Sequence, residues 1–548
     1  MKRVTLYASV FAAACCISTV SSIAQEPVVT EAGTKLVDKV ESVDGSFTIS
    51  YEKYELANGL SLLVHEDHSD PIAHVEITYH VGSNRESPGK SGFAHFFEHM
   101  MFQGSEHVGD EQHFKMVTEA GGTMNGTTNN DRTNYFETVP SNYLETALWL
   151  EADRMGFLLN AVTQEKFEVQ RSTVKNEKQQ NLNQQYGLVF ETLGQTLYPE
   201  GHKYNWPIIG YTDDLDRADV TDLKNFFMRW YGPNNATLVV AGDVDTKAVV
   251  ALVEKYFGSI KKGPAVRRIK KDMPILTADK YANIEDLVGL PLTFMAFPVP
   301  HLYHRDEPAL DLLSSLMGQG NNSLFYQNMV KTDKAVQAST FSQMSEINGM
   351  FGVQVVAYPG ESLNDTEQLI RKTIEEFGTK GVSAEDLERV KSDMISGFYD
   401  IANSVQSKAS VLTSWELYSP RKMNLQQEID RYKKVTKEDV MAVYNKYIKG
   451  KKAAIVNCTP IPYEDRADLE DDFKKSFNPY AGREFPTEAQ YEGLTYERST
   501  DIFDRSKKPV PGAAKAVTVP KYVRKKLDNG IDMILTQSNE SPKVTILL

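Results

Sequence analysis

Apolar and polar positions along the chain fall into two successive runs of strands and helices. Two short β-prone stretches, Tyr51–Leu56 and Leu60–His65, flank Ala57-Asn58-Gly59, and Asn-Gly between such stretches predicts a tight hairpin. After Pro71, the apolar residues Ala73, Val75, Ile77, Tyr79 and Val81 alternate with His74, Glu76, Thr78 and His80, the period of a half-buried strand. Helical periodicity then covers roughly 91–103, 110–120, 141–160 and 163–195, with a strand near Arg132–Val139. Helices at 220–231 and 245–257 bracket the apolar strand Ala236–Ala241. From about 275 the order restarts: strands at Leu290–Pro298, Gly349–Tyr358 and Ala453–Asn457, and helices at 307–316, 362–377, 383–418, 423–434 and 436–447.

This pattern predicts an α+β protein with two homologous units, each a mixed sheet packed by helices, at 48–265 and 275–459. A polar segment at 25–47 precedes them. Residues 460–520 lack periodicity, carry several prolines and read as an extended linker. Beyond it, Leu527-Asp528-Asn529-Gly530-Ile531 repeats Leu56-Ala57-Asn58-Gly59-Leu60, and Pro542 repeats Pro71, at a constant offset of 471 residues. The apolar residues Val544–Leu548 answer the strand Ala73–Ile77. A repeat at that length marks a duplicated module. Residues 521–548 are therefore expected to be the opening hairpin of a second peptidase-like half, and the chain a fragment of a longer protein. A natural short form is the alternative.

A length of 548 residues exceeds one ordinary core, and 41% hydrophobic with 24% charged residues is a globular composition. The net charge of −14 argues against nucleic acid, which needs a basic surface. Residues 1–24 carry Lys2 and Arg3, an apolar stretch from Val4 to about Val20, and Ser22-Ile23-Ala24, the pattern of a secretory signal peptide cleaved after Ala24. Export to a bacterial periplasm is expected, with no transmembrane helix in the mature chain. Lipid attachment at Cys15 or Cys16 fits less well, because the usual leucine is missing. Only Cys458 then remains, so any metal must be held by histidine and carboxylate.

His95-Phe96-Phe97-Glu98-His99 supplies such ligands. On a helix, His95 and His99 lie one turn apart on one face, and Glu98 projects about 60° from His95. Phe93, Ala94, Met100, Met101 and Phe102 make the surroundings apolar, so the polar triplet would be costly to bury without a metal. The spacing is that of the inverted zinc-peptidase motif. His107 and His113, single histidines in polar segments, are expected to be solvated.

With Met100-Met101-Phe102-Gln103-Gly104-Ser105, with Gly121-Gly122-Thr123-Met124-Asn125-Gly126 followed by Asp131, Thr133 and Tyr135, and with Asp153-Arg154-Met155, this motif resembles the pitrilysin/insulinase family, which includes mitochondrial processing peptidase. The resemblance runs from about residue 48 onward. It implies a third ligand on a helix downstream, matched by Glu177 in Val174-Lys175-Asn176-Glu177-Lys178, 78 residues after His99. Glu168 is the rival, and Gln170 stands where the family often has glutamate. The resemblance further implies one zinc per chain, Glu98 as general base, and an edge strand on which Asn125 contacts the backbone of a peptide substrate; a Gly-rich turn is the bland alternative for that segment. The expected function is zinc-dependent endopeptidase on peptides or small unfolded proteins, working with the missing second half or a homologous subunit. The competing readings are a non-catalytic structural or partner subunit and a zinc hydrolase of non-peptide substrates.

Overall fold

A computed structural model describes residues 30, 33–42, 47–420, 422–463, 465, 474–486, 488–517, 520–537 and 543–547. The expected signal peptide lies outside the described residues. The first sheet comprises β1 (Lys35–Val40), β2 (Tyr51–Glu55), β3 (Ser61–Glu66), β4 (Ile72–Tyr79), β5 (Thr123–Thr128), β6 (Thr133–Pro140) and β7 (Ala236–Gly242), in the order β1-β2-β3-β7-β4-β6-β5. Around it run α1 (Phe93–Met100), α2 (Gln112–Glu119), α3 (Leu144–Phe157), α4 (Gln164–Asn183), α6 (Thr212–Arg217), α7 (Val220–Trp230) and α8 (Thr246–Phe257), whereas α5 (Val189–Leu197) packs on the second sheet. The second sheet comprises β8 (Lys280–Asp286), β9 (Leu292–Val299), β10 (Ala335–Met344), β11 (Gly349–Ala357) and β12 (Ala454–Pro460), in the order β10-β11-β9-β12-β8. Its helices are α9 (Glu307–Gly318), α10 (Leu363–Lys380), α11 (Ala384–Asp400), α12 (Val405–Tyr418), α13 (Leu425–Lys433) and α14 (Lys437–Val443).

The two sheets share one topology. Leaving aside β1 and β2, which extend the first sheet beyond β3, the first of the five strands lies parallel to the last (β3 with β7, β8 with β12), and the last lies antiparallel to the second (β7 with β4, β12 with β9). The fourth and third strands follow, both antiparallel (β6 and β5, β11 and β10). The α+β class and the internal duplication are thus visible in the strand order itself.

Several sequence expectations change. β4 is buried on both faces rather than half-buried, because α12 of the second unit covers it and β7. Its polar residues find partners there: Ser410 donates to Glu76 at 2.9 Å, and His74 Nδ1 lies 2.8 Å from Thr138 Oγ1. The long helix expected over 163–195 divides into α4 and α5 at Tyr186, which has φ +60°, and Gly187, where a Cβ would meet the Asn181 carbonyl at 2.4 Å. The helix over 383–418 divides where Ser404 caps α12 by accepting from Ser407 N–H. The polar segment 25–47 contributes β1, and β8, β10 and α6 had no clear periodicity. No strand forms at 543–547, while Pro542 and Leu548 lie outside the described residues.

Residues 474–517, read as a linker, instead strap the first unit. Trp149 Nε1 donates to the Arg505 carbonyl at 2.9 Å, Arg505 donates to the Tyr256 carbonyl at 2.6 Å, and Phe503, Tyr491 and Tyr496 pack on the first core. An extended segment that buries one aromatic at a time leaves no period to detect.

The repeated hairpin is real in geometry and unequal in environment. Strands β13 (Tyr522–Lys526) and β14 (Asp532–Thr536) flank Asn529-Gly530 as β2 and β3 flank Asn58-Gly59, with φ of +91° and +87° at the two glycines. The closing bonds also match: Leu56 N–H to the Leu60 carbonyl at 3.0 Å, and Leu527 N–H to the Ile531 carbonyl at 2.8 Å. Leu60 and Leu62 are buried, whereas Ile531, Ile534 and Leu535 are exposed.

A candidate zinc centre on two helices

Helix α1 starts at Gly92, whose φ of +88° and contact with the Ile209 carbonyl leave no room for a side chain. No side chain at that position caps it. Glu86 does so from a distance, accepting from Gly92 N–H at 2.9 Å and Ala94 N–H at 2.8 Å. A buried carboxylate at a helix N-terminus satisfies donors that would otherwise be orphaned. Phe93, Phe96, Phe97 and Met100 face the core, where Phe96 meets Phe167 of α4 and Phe97 stacks on Phe227. This packing turns His95 and His99 outward together and sets α4 alongside.

Helix α4 delivers Glu177. Its Oε2 lies 3.2 Å from His99 Nε2 and 3.6 Å from His95 Nε2, and the two rings stand edge to face with centroids 4.8 Å apart. One ligand atom from each residue lies within 4.8 Å of the others. Glu168 is not brought in; it is half-exposed and pairs with Arg171 and Gln164. Gln170, buried on the same helix, reaches the His99 ring with its side chain.

The electrostatics follow from burial and pairing. Burial pushes His95 down to about 4, keeping it the neutral imidazole that a metal requires. Burial also opposes a charge on His99, but the bond and charge of Glu177 outweigh it and raise that ring. The His99 bond holds Glu177 below its ordinary range. Burial raises Glu98, against the Thr128 bond that lowers it. Two imidazole nitrogens and a carboxylate oxygen are the donor set of a catalytic zinc site with an open fourth position. The residues present fit that ion.

Glu98 sits against the end strand of the sheet. Its Oε2 accepts from Thr128 Oγ1 at 2.6 Å, and a Cβ on Gly126 would lie 3.2 Å from its Oε1. Among the described residues, strand β5 pairs with β6 on one side only, so its other edge is open. Asn125 is exposed on this strand, its Oδ1 accepting from Gly126 N–H at 2.9 Å. Sequence reasoning missed Thr128 and Glu86, which no motif spacing marks, and gave Gly126 no role beyond its place in the Gly-Gly segment. It also misplaced two histidines. His107 is bonded to Asp153 at 2.6 Å, and His113 is buried.

Among the described residues, the second unit holds no comparable group of ligand atoms. Among the described residues of the whole chain, no helix is long and apolar enough to cross a membrane.

Residues 62–207 match the family model described as insulinase (peptidase family M16), and residues 217–394 match that of the peptidase M16 inactive domain. The zinc protease PqqE of Helicobacter pylori is 27% identical over 76% of this chain and 94% of its own. A probable mitochondrial-processing peptidase subunit beta of Arabidopsis thaliana is 24% identical over 74% of this chain and 78% of its own. The crystal structure of a protease from Helicobacter pylori superposes with a TM-score of 0.70 at 26% identity, over 75% of this chain and 99% of that one. With these two family models matched in chain order over residues 62–207 and 217–394, the chain belongs to the pitrilysin/insulinase family of peptidases.

Proposed function

We propose that this chain is a zinc-dependent endopeptidase, with His95, His99 and Glu177 as ligands and Glu98 as general base. The observation that carries the reading is the placement of Glu98 between the three ligands' helices and an open sheet edge. When bound, zinc would supply Lewis-acid activation of the scissile carbonyl and the attacking water. Glu98 takes a proton from that water and returns it to the leaving amine. Thr128 occupies Oε2 of Glu98, which leaves Oε1 for the water. A peptide adds to β5 as a further strand, its backbone contacting Asn125, which gives main-chain affinity with weak sequence choice. Removing metal with a chelator should abolish cleavage of an unfolded peptide, and added zinc should restore it.

The second reading, a non-catalytic partner subunit, draws on the match of residues 217–394 to an inactive domain and on the Arabidopsis relative's name as a subunit. It expects no cleavage with zinc present. The exposed apolar residues of β13 and β14 favour a partner of the same fold in either case. Export to a periplasm rests on residues 1–24 alone, and mass spectrometry of the exported chain should find it beginning near Gln25.

A further inference from the structure

Beneath the edge strand lies a second cluster that the peptidase reading does not use. His113 of α2, Glu137 of β6 and Glu151 of α3 each aim one ligand atom into a common point, with these atoms within 4.8 Å of one another. All three are buried, at 4%, 0% and 0% exposure. His113 Nε2 has no hydrogen-bond partner, and the oxygens of Glu137 and Oε2 of Glu151 have none beyond the bond the two glutamates can share with each other. Buried groups left in this state are rare, and each calls for a missing partner.

Charge sharpens the problem. Arg154 is also buried; it pairs with Glu151 and lies over the Tyr135 ring, 4.2 Å from its centroid. One guanidinium against two carboxylates leaves a negative charge uncompensated in the protein interior, which is expensive. A proton on Glu137 would offset that charge but would leave His113 Nε2 and one carboxylate oxygen still bare. A cation offsets it and accepts electron pairs from all three residues.

We propose that His113, Glu137 and Glu151 form a second, structural site for a divalent transition cation of the zinc or manganese class. One imidazole with two carboxylates is a donor set these ions accept. The site ties α2, β6 and α3 together directly behind β5, whose Met124 pairs with Glu137 in register. Full burial makes exchange slow, so the ion is retained where the open centre at His95 and His99 loses its own. The site goes beyond the single zinc expected from the sequence and does not depend on peptidase activity.

The test is the metal content of the full chain carrying His95→Ala and His99→Ala, measured by mass spectrometry after dialysis against a chelator. The expected result is one divalent ion per chain in this double variant, falling to none when Glu137→Gln is added. Less than a tenth of an equivalent in the double variant overturns the proposal and leaves a shared proton as the partner. Metal that survives Glu137→Gln and His113→Gln equally also overturns it. Should those variants fail to fold, anomalous scattering from crystals of the double variant decides whether the ion sits between His113, Glu137 and Glu151.

Discussion

Thr128 donates a 2.6 Å hydrogen bond to Glu98 and so joins the helix of the zinc motif to the edge strand of the sheet. The proposed general base and the proposed peptide-binding edge are thereby held as one unit. Positioning of this kind supplies a large share of barrier lowering. Gly126, two residues before Thr128, also lies close against that helix.

Gly126→Val should therefore damage catalysis more than folding. A Cβ there would lie 3.1 Å from the Phe102 ring and 3.2 Å from Glu98 Oε1, so a branched side chain must displace Glu98. Peptide hydrolysis should fall by about 100-fold, the scale of a 1 Å misplacement, while the thermal midpoint moves little. Equal activity in the variant would separate Gly126 from the site.

A buried junction between the two units should be costly to break. Asp131, beside β5, accepts from Asn84 at 2.8 Å, from Tyr204 at 2.5 Å and from the Glu346 N–H of the β10–β11 turn at 2.8 Å. Asp131→Ala strands all three donors and should cost about 2–4 kcal/mol in denaturant unfolding. A loss below about 0.5 kcal/mol, typical of surface changes, would show the junction to be incidental.

The other junction predicts an acid-sensitive contribution. Burial alone would raise Asp67, but Lys408 of α12, at 2.5 Å, together with Ser69 brings its carboxyl down to about 2. A folded value below the unfolded one of about 4 means stabilisation that is present above pH 4 and lost as pH falls towards 2. The stability gap between wild type and Asp67→Asn should shrink across that window. A gap independent of pH would remove the ion pair from the account.

Cys458 should resist thiol reagents until the second unit unfolds. It is fully buried on β12, and burial, with Asp286 adding, pushes its thiol up to about 12. Rapid modification of the native protein would contradict the packing of β12 between β8 and β9.

What the sequence disclosed depended on whether a residue's role was local. His95, Glu98 and His99 share one helix, so spacing alone brings them together. Glu177 reaches them only through the packing of α4 on α1 by Phe96 and Phe167, and without the family resemblance Glu168 was as good a candidate. His113 looked solvated because its neighbours in sequence are polar. Its burial is decided by α3 and β6, which are distant in sequence. The strap of 474–517 escaped for the same reason, since Trp149 and Tyr256 supply its partners.

The most direct test of the account is Glu98→Gln, with metal content and peptide hydrolysis measured on the same preparation. An amide of the same shape keeps the Thr128 bond and leaves His95, His99 and Glu177 untouched, but it cannot take a proton. Metal content should equal that of wild type, while hydrolysis falls by roughly 100- to 10,000-fold. Metal lost along with activity would make Glu98 a ligand rather than the base, and hydrolysis retained with metal in place would contradict its role altogether.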